Sequence, residues 1–448
     1  MSSFSEIFKA YDIRGKVGSE LNKTTVKDIA RAFAGWLPKK GIVAIGRDMR
    51  PDSKELSDAF IAGLLEQGYD VWDIGLVTSD MIYFAVGEYK LAGGAVITAS
   101  HNTSGENGIK LYRDEVNAVG LDAGLAEIRD LVIAKTFKEK SKKPGSKTSK
   151  NITDVWVEHC LSFVDNLKKF HIAIDAGNGM AGEILPHILP RLPMEVEELY
   201  FELDGTFPNH EANPQKIENL QDLIKKVVTN KLDLGIAFDG DGDRAVFIDD
   251  KGRLVLGTDL LSIIAKLYLE KYPGTKIVHD VRTSRATQEL IKKWGGKPVR
   301  TKAGRVNIGS LMRKIGATVG GENTGHVFFV ENFDADSGII TALVALQALT
   351  NSGKKLSELI DEYRLYAMLP EINIEAEINK KVVFKELSAV FSDAQQDYLD
   401  GLTISYPDRW FNIRASNTEP VMRLNAEADT KELLNKLIAQ VQHIIKKL

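Results

Sequence analysis

Three apolar, β-branched runs recur along the chain, each ending in a polar turn that carries glycine or aspartate. They are residues 42–48 (IVAIGRD), 172–179 (IAIDAGNG) and 276–284 (KIVHDVRTS). Near-continuous apolar strands belong to sheets covered on both faces, so each run predicts a βαβ unit. Helices are predicted over 26–36, 53–67, 220–228, 259–272 and 284–294, with Gly257 and Thr258 as the start signal of the fourth. At 448 residues the chain exceeds one ordinary core, so several such units are expected.

The stretch 135–150 (KTFKEKSKKPGSKTSK) holds seven lysines and almost nothing apolar. It lacks the interleaved aromatics of a base-stacking surface and reads as a solvated inter-domain linker. A second boundary is expected at the turn-rich 249–252, after the strand 245–248, and a third near Leu369 and Pro370, after a helix over 356–366. The remainder changes pattern, with strands near 372–376, 403–406, 410–413 and 421–425 and a closing helix over 431–447. The expected division is 1–148, 149–251, 252–368 and 369–448: three similar α/β domains and a smaller C-terminal α+β domain.

A net charge of −4 gives no general attraction to nucleic acid or anionic lipid. Cys160 is the only cysteine, which excludes an intrachain disulfide and a cysteine-based zinc cluster. It lies in an amphipathic helical stretch, 155–167, and is expected in the core. No apolar run reaches the ~20 residues of a membrane span, and the acidic N-terminal stretch with Glu6 and Asp12 has no signal core. A cytoplasmic protein without nucleic-acid or membrane partners is expected.

Four polar motifs punctuate this framework. In DGDGDR, residues 239–244, the carboxylates of Asp239, Asp241 and Asp243 alternate with glycines in a loop suited to a hard cation such as Mg²⁺. An EF-hand is excluded, because Arg244 stands at its glycine position and Asp250 at its final glutamate, and because strands flank the loop. TASHN, residues 98–102, follows an apolar strand, so Ser100 is expected on a loop at a strand's C-terminal end, where open α/β sheets place ligands. A hydrolase elbow is missing, and the adjacent Ser100 and His101 side chains are expected to point apart. A serine that carries a phosphoryl group and a plain polar turn both remain as readings.

Phosphoserine and three aspartates together exceed the charge of one divalent ion, so Arg14, Lys110 and Arg244 are the natural compensators. RASNTEP, residues 414–420, suits an anion cradle: Arg414 offers a planar fork, Ser416 and Thr418 hydroxyls, Asn417 an amide, and Arg423 adds charge from the next strand. GENTGH, residues 321–326, combines Glu322, Thr324 and His326, groups able to hydrogen-bond vicinal sugar hydroxyls.

These four motifs, in this order and from YDIRG at residue 11 to Asn425, resemble the α-D-phosphohexomutase superfamily, most closely its phosphomannomutase/phosphoglucomutase group through GHVFF at 325–329. The resemblance implies four domains around a central cleft and reversible phosphoryl transfer between the 1- and 6-positions of mannose or glucose phosphate. It implies that Ser100 is a phosphoserine that also ligates Mg²⁺ through its phosphate, with Asp239, Asp241 and Asp243 as the other ligands. Arg14, His101, Lys110 and Arg244 are then the phosphoryl-transfer neighbours, Lys110 the general acid/base. Glu322, Thr324 and His326 read sugar hydroxyls, and Arg414, Ser416, Asn417 and Thr418 hold the idle phosphate. The substrate turns end for end as a hexose 1,6-bisphosphate, which is intermediate and activator. A monomer or dimer is expected.

The chain departs from the family pattern at three places. Thr103 and Ser104 replace the usual proline after Asn102, and Thr324 replaces serine. In TKAGR, residues 301–305, Arg305 stands where many relatives carry histidine in a substrate loop; it cannot titrate near neutrality. Lys302 of the same loop is a further sugar or phosphate contact. Phosphoglucosamine mutase shares every catalytic motif and is the alternative enzyme; a non-catalytic sugar-phosphate binder is a remoter one.

Overall fold

In the computed structural model, which describes residues 4–375, 380–415 and 421–448, each apolar run becomes a strand with parallel neighbours on both sides. Ile42–Arg47 lies between Asp70–Leu76 and Gly93–Ile97. Phe170–Asp175 lies between Met194–Leu199 and Leu234–Phe238, and Lys276–Asp280 between Lys297–Thr301 and Val319–Gly321. In all three sheets the last of these strands then reverses into an antiparallel partner. Gly93–Ile97 pairs with Glu106–Arg113, Leu234–Phe238 with Ala245–Asp249, and Val319–Gly321 with Val327–Phe329. The three reversals hold TASHN, DGDGDR and GENTGH, so a repeated topology delivers three different chemistries at equivalent positions.

The turn after each first strand is also repeated. Asp48 Oδ1 accepts from Arg50 N at 3.0 Å, Asp175 Oδ1 from Gly177 N at 2.8 Å, and Asp280 Oδ1 from Arg282 N at 2.7 Å. A short carboxylate that bonds the backbone two residues on fixes the direction in which the chain leaves the sheet.

The predicted helices form as Lys23–Trp36, Ser53–Glu66, Gln221–Asn230, Gly257–Lys271 and Arg285–Lys293. Their starts follow capping chemistry: Asn22 Oδ1 accepts from Thr24 N and Thr25 N at 3.0 and 3.1 Å, and Ser284 Oγ from Ala286 N at 3.0 Å. Residues 135–150 differ from a free linker. Lys147–Ser149 adds a parallel edge strand beside Asp70–Leu76, held by Val71 N to Ser146 O at 2.8 Å and Lys150 N to Asp73 O at 3.0 Å. An edge strand needs only backbone partners, so solvated lysines are compatible with it, and they guard the edge against further pairing.

The first three domains share one apolar core. Phe84 on helix Ser79–Glu88 meets Trp156 on helix Thr153–Leu161 at a ring separation of 5.3 Å, and Ile339, Ile340 and Leu343 of helix Gly338–Ser352 join the same cluster. Cys160 is fully buried there. The fourth domain has its own core, built from Leu402, Phe411, Ile413, Leu424, Leu434 and Val441 between an antiparallel sheet and helices Lys380–Val390 and Lys431–Lys446. Helix Lys380–Val390 had no clear sequence signal because only Val383 and Leu387 anchor it. Polar contacts tie this domain to the third: Glu427 accepts from Ser284 Oγ and Arg285 Nε, Ala303 N donates to Asp400 Oδ2 at 2.9 Å, and Arg300 pairs with Asp397. Among the described residues no helix is long and apolar enough to cross a membrane.

Candidate active site

Ser100 stands in the left-handed backbone region, with φ of +53°, and its side chain is buried. Its hydroxyl donates to Asp239 Oδ2 at 2.8 Å and accepts from Arg244 Nη2 at 3.3 Å. The first domain's loop is thereby docked onto the second domain's acidic loop. Glycine at 240 is required for this approach, since a Cβ there would lie 2.5 Å from Ser100 O. The turn at Ser100 also corrects one expectation: the hydroxyl and His101 Nδ1 lie 3.2 Å apart instead of pointing away from each other. The imidazole is nevertheless not poised as its base. Burial, then the charges of Arg244 and Arg14, hold its pKa well below the usual range, and Arg244 Nη2 contacts the same Nδ1.

Asp239, Asp241 and Asp243 are all fully buried. Burial pushes Asp239 up to about 6 against the pull of Arg244. Asp241 and Asp243 are driven down despite burial, chiefly by Lys110. Lys110 sits on strand Glu106–Arg113, facing Val96 in register, and its ammonium bridges Asp241 and Asp243 and lies 3.2 Å from Ser79 Oγ. The two carboxylates outweigh its burial, so its pKa is raised and it is an ammonium at neutral pH. Arg14 completes the ring: its Nη1 donates to Ala99 O at 2.6 Å and contacts Asn102 Oδ1, while Asp12 holds the other edge of the fork at 2.9 Å.

The third domain approaches from the other side. Glu322 Oε1 accepts from Gly304 N at 2.9 Å, and its Oε2 from Thr324 Oγ1 at 3.0 Å. His326 lies apart from that pair: Nδ1 is 2.6 Å from Asp336 Oδ2 and 3.8 Å from Asp243 Oδ1. Burial lowers its pKa, but the two aspartates more than reverse this. Arg305 points the same way. Its Nη2 donates to Tyr11 O at 3.1 Å, its guanidinium lies 5.6 Å from the Tyr112 ring centroid, and Nη1 is 4.0 Å from Asp243 Oδ2. Lys302 is exposed. In the fourth domain Arg414 and Arg423 stand 3.6 and 3.5 Å from the Glu371 carboxylate. Ser416, Asn417 and Thr418 lie outside the described residues.

Family models for phosphoglucomutase/phosphomannomutase match the whole sequence of domains: α/β/α domain I over residues 5–139, domain II over 154–252, domain III over 257–366 and the C-terminal domain over 371–444. The chain belongs to the phosphoglucomutase/phosphomannomutase family. It is a phosphohexomutase, an isomerase of carbohydrate metabolism. It is 39% identical over 426 residues to the phosphohexose mutases of Xanthomonas campestris pv. campestris strain B100, covering 94% of each chain. It is 37% identical over 450 residues to a phosphomannomutase of Salmonella montevideo, covering 96% of this chain and 98% of that one. A crystal structure of a phosphoglucomutase/phosphomannomutase family protein from Burkholderia thailandensis superposes with a TM-score of 0.90 at 30% identity, covering 100% of this chain and 98% of that one.

The acidic loop of this phosphohexomutase fits a divalent cation. One oxygen from each of Asp239, Asp241 and Asp243 lies within 4.8 Å of the others. Asp241 Oδ1 and Asp243 Oδ1 are buried without a hydrogen-bond partner, the condition a cation would relieve. Several residues around the site escaped sequence reasoning. Arg50 Nη2 donates to Ser100 O at 3.0 Å and Asn102 O at 2.6 Å, clamping the TASHN loop from below. Ser79 Oγ donates to Asp241 Oδ2 at 2.5 Å. Tyr11 Oη reaches across to Ala303 O at 2.9 Å. Arg282, only 1% exposed, lies between Asp280, Glu322 and Glu371. The one available signal was the repeated Asp-x-Arg after the first strands of domains one and three.

Proposed function

We propose that Ser100 carries a phosphoryl group and exchanges it with the 1- and 6-hydroxyls of mannose or glucose phosphate by way of a hexose 1,6-bisphosphate. The observation that carries this reading is the junction of Ser100 Oγ, Asp239 Oδ2 and Arg244 Nη2, which sets a buried hydroxyl between an acidic loop and a guanidinium. A serine hydrolase would need a free base beside that hydroxyl, and His101 Nδ1 is engaged by Arg244 instead.

In the first transfer the P–O bond to Ser100 breaks, a P–O bond to the sugar hydroxyl oxygen forms, and the hydroxyl proton ends on Ser100 Oγ. In the second, the P–O bond at the other end of the bisphosphate breaks, the bond to Ser100 re-forms, and the Ser100 proton passes to the freed sugar oxygen. Lys110 is the relay in both: its ammonium gives a proton to the departing oxygen and its amine takes one from the attacking hydroxyl. Arg14 and Arg244 face the phosphoryl oxygens. Asp239, Asp241 and Asp243, with the phosphate on Ser100, would hold Mg²⁺, which supplies positive charge to the group in transit. Glu322 and Thr324 orient the sugar. His326 and Arg305 act nearer the acidic loop, where both lie within 4.0 Å of Asp243. Arg414, Arg423 and Arg282 hold the idle phosphate, a role assigned also to Ser416, Asn417 and Thr418 by their place in RASNTEP. Lys302 guards the exposed rim.

The test is a coupled assay with Mg²⁺ and a trace of hexose 1,6-bisphosphate, run side by side on glucose 1-phosphate, mannose 1-phosphate and glucosamine 1-phosphate. Turnover of the glucose or mannose ester is expected. Turnover of the glucosamine ester alone would replace this assignment with the amino-sugar reaction.

A further inference from the structure

Glu371 begins the fourth domain, immediately before strand Ile372–Glu375, and its carboxylate lies at the meeting point of three arginines from two domains. Arg282 Nη1 of the third domain is 3.7 Å from Oε2, Arg414 Nη2 is 3.6 Å from Oε2, and Arg423 Nη1 is 3.5 Å from Oε1. Three guanidiniums in one place is the composition of an anion site, and a carboxylate in its centre is the wrong sign for a ligand-binding group.

Two features explain its presence. The carboxylate is anchored by Asn425 Nδ2, which donates to Oε2 at 2.9 Å, and Asn425 Oδ1 in turn accepts from Asn323 Nδ2 of the sugar loop at 3.3 Å. The arginines stand further off, at 3.5–3.7 Å, in ion pairs too long to be good hydrogen bonds. Glu371 therefore lowers the charge of the cluster without consuming the forks of Arg414 and Arg423, while the Arg282 fork is held by Asp280. With Asp280 and Glu322, which also pair with Arg282, three guanidiniums and three carboxylates sum to zero, and loss of the Glu371 charge would leave +1 facing a phosphate dianion. Arg282, the Asp280 and Glu322 carboxylates and the Asn425 amide fix this arrangement on both sides of the cleft.

We propose that Glu371 is a positioning residue that tempers the grip of the Arg282–Arg414–Arg423 cradle, so that the idle phosphate is held firmly enough to bind yet released when the bisphosphate turns. The inference rests on the mutase reading above. A cycle that must let go of one phosphate to seize the other loses rate when ground-state binding is too tight. Removing the negative charge strengthens binding of both monophosphate and bisphosphate and slows the turn.

Glu371→Gln keeps the oxygen that Asn425 bonds and removes only the charge. Expected are a KM for the hexose 1-phosphate lowered about five- to tenfold and a kcat lowered by a similar factor, leaving kcat/KM nearly constant. Calorimetry with glucose 1,6-bisphosphate is expected to give a Kd about tenfold tighter, with a steeper loss of affinity on adding salt. Glu371→Asp, which retains the charge, is expected to return both constants toward those of the wild type. A raised KM with unchanged kcat in Glu371→Gln would mean that the carboxylate only props the arginines, and would overturn the proposal, as would unchanged constants. If the wild type turns over no hexose phosphate, the mutase reading fails by itself. The calorimetric comparison still decides whether Glu371 weakens anion binding, and equal bisphosphate affinities would reject that.

Discussion

Replacing Glu427 with glutamine should release the fourth domain from the other three while leaving both cores intact. Glu427 is fully buried, and its carboxylate accepts from Ser284 Oγ, from Arg285 Nε at 3.0 Å and from Trp410 Nε1 at 2.9 Å. Ser284 and Arg285 belong to the third domain, Trp410 to the fourth, so this side chain spans a joint that Ala303–Asp400, Arg300–Asp397 and Arg285–Asp429 also hold. Glutamine matches the shape but offers a single acceptor oxygen and turns an NH₂ toward donors. Arg285 is part-exposed and keeps Asp429, so the loss is that of hydrogen bonds to a charged group, about 1.5–3 kcal/mol. The fourth domain's apolar cluster does not extend into the third, so no hydrophobic contact of core size compensates.

The loss is therefore expected at the joint and in the smaller domain. For a domain of 60–100 residues each kcal/mol shifts the melting temperature by about 4–8 °C. Scanning calorimetry of Glu427→Gln should show a separate transition about 10 °C or more below the main one, and Arg414 and Arg423 on the undocked domain should part from Arg282. The mutase assay should show kcat/KM reduced at least tenfold, while Mg²⁺ binding at Asp239, Asp241 and Asp243 stays as in the wild type. A single transition within about 1 °C of the wild type, with unchanged kinetics, would refute the claim that this carboxylate holds the joint.

Four other outcomes follow from the geometry. Ser100→Ala should abolish turnover and leave hexose-phosphate affinity within about tenfold, measured by calorimetry, because the binding groups lie elsewhere. Chelation with EDTA should stop turnover and added Mg²⁺ restore it, whereas Asp241→Asn should raise the Mg²⁺ concentration needed by at least tenfold in the same assay. Asp80, buried between Thr78 Oγ1 and Ser337 Oγ, has its pKa pushed up to about 8, chiefly by burial. A raised carboxylate pKa favours the folded state below the unfolded value near 4 and loses that stability as pH rises toward 8, about 1.4 kcal/mol per pH unit. Asp80→Asn should flatten the fall of the urea midpoint between pH 5 and pH 8, and an unchanged slope would show that Asp80 is not its source. Cys160, fully buried with its pKa raised by burial, should resist thiol reagents in the native enzyme and react once in denaturant.

What the sequence disclosed was whatever depends on neighbours along the chain. The apolar runs ending at Asp48, Asp175 and Asp280 announced three similar sheets, and Gly257 and Thr258 marked a helix start, whereas the Asn22 cap, ahead of the predicted start at 26, escaped sequence reasoning. The aspartate spacing of DGDGDR announced a cation loop, since alternation with glycine is a local device. Contacts between residues far apart in the chain carried fainter marks. Arg50 is an unremarkable arginine in RDMRP until the fold places it under Ser100, and Glu371 is one glutamate among many until three arginines from two domains surround it. The turn that brings Ser100 and His101 to 3.2 Å depends on a left-handed residue that propensity disfavours and the docking of Gly240 enforces.

Arg305 joins the two levels. Its place in the TKAGR loop predicted a substrate contact, and its guanidinium lies 5.6 Å from the Tyr112 ring centroid and 4.0 Å from Asp243. A shorter histidine at the start of helix Arg305–Ile315 has no such reach, so the exchange moves a charge instead of swapping one polar group for another. Arg305 is thus a permanent cation 4.0 Å from Asp243, while Arg244 pairs with Asp239 at 2.8 Å, so the first and last carboxylates of the loop each have a fixed positive charge beside them. On the proposed mutase reading, the preference among sugar epimers falls to Glu322, Thr324 and the exposed Lys302, and Arg305 is assigned to the transferred group. Arg305→His should accordingly change kcat more than the ratio of mannose to glucose ester turnover, and the reverse pattern would return Arg305 to the sugar.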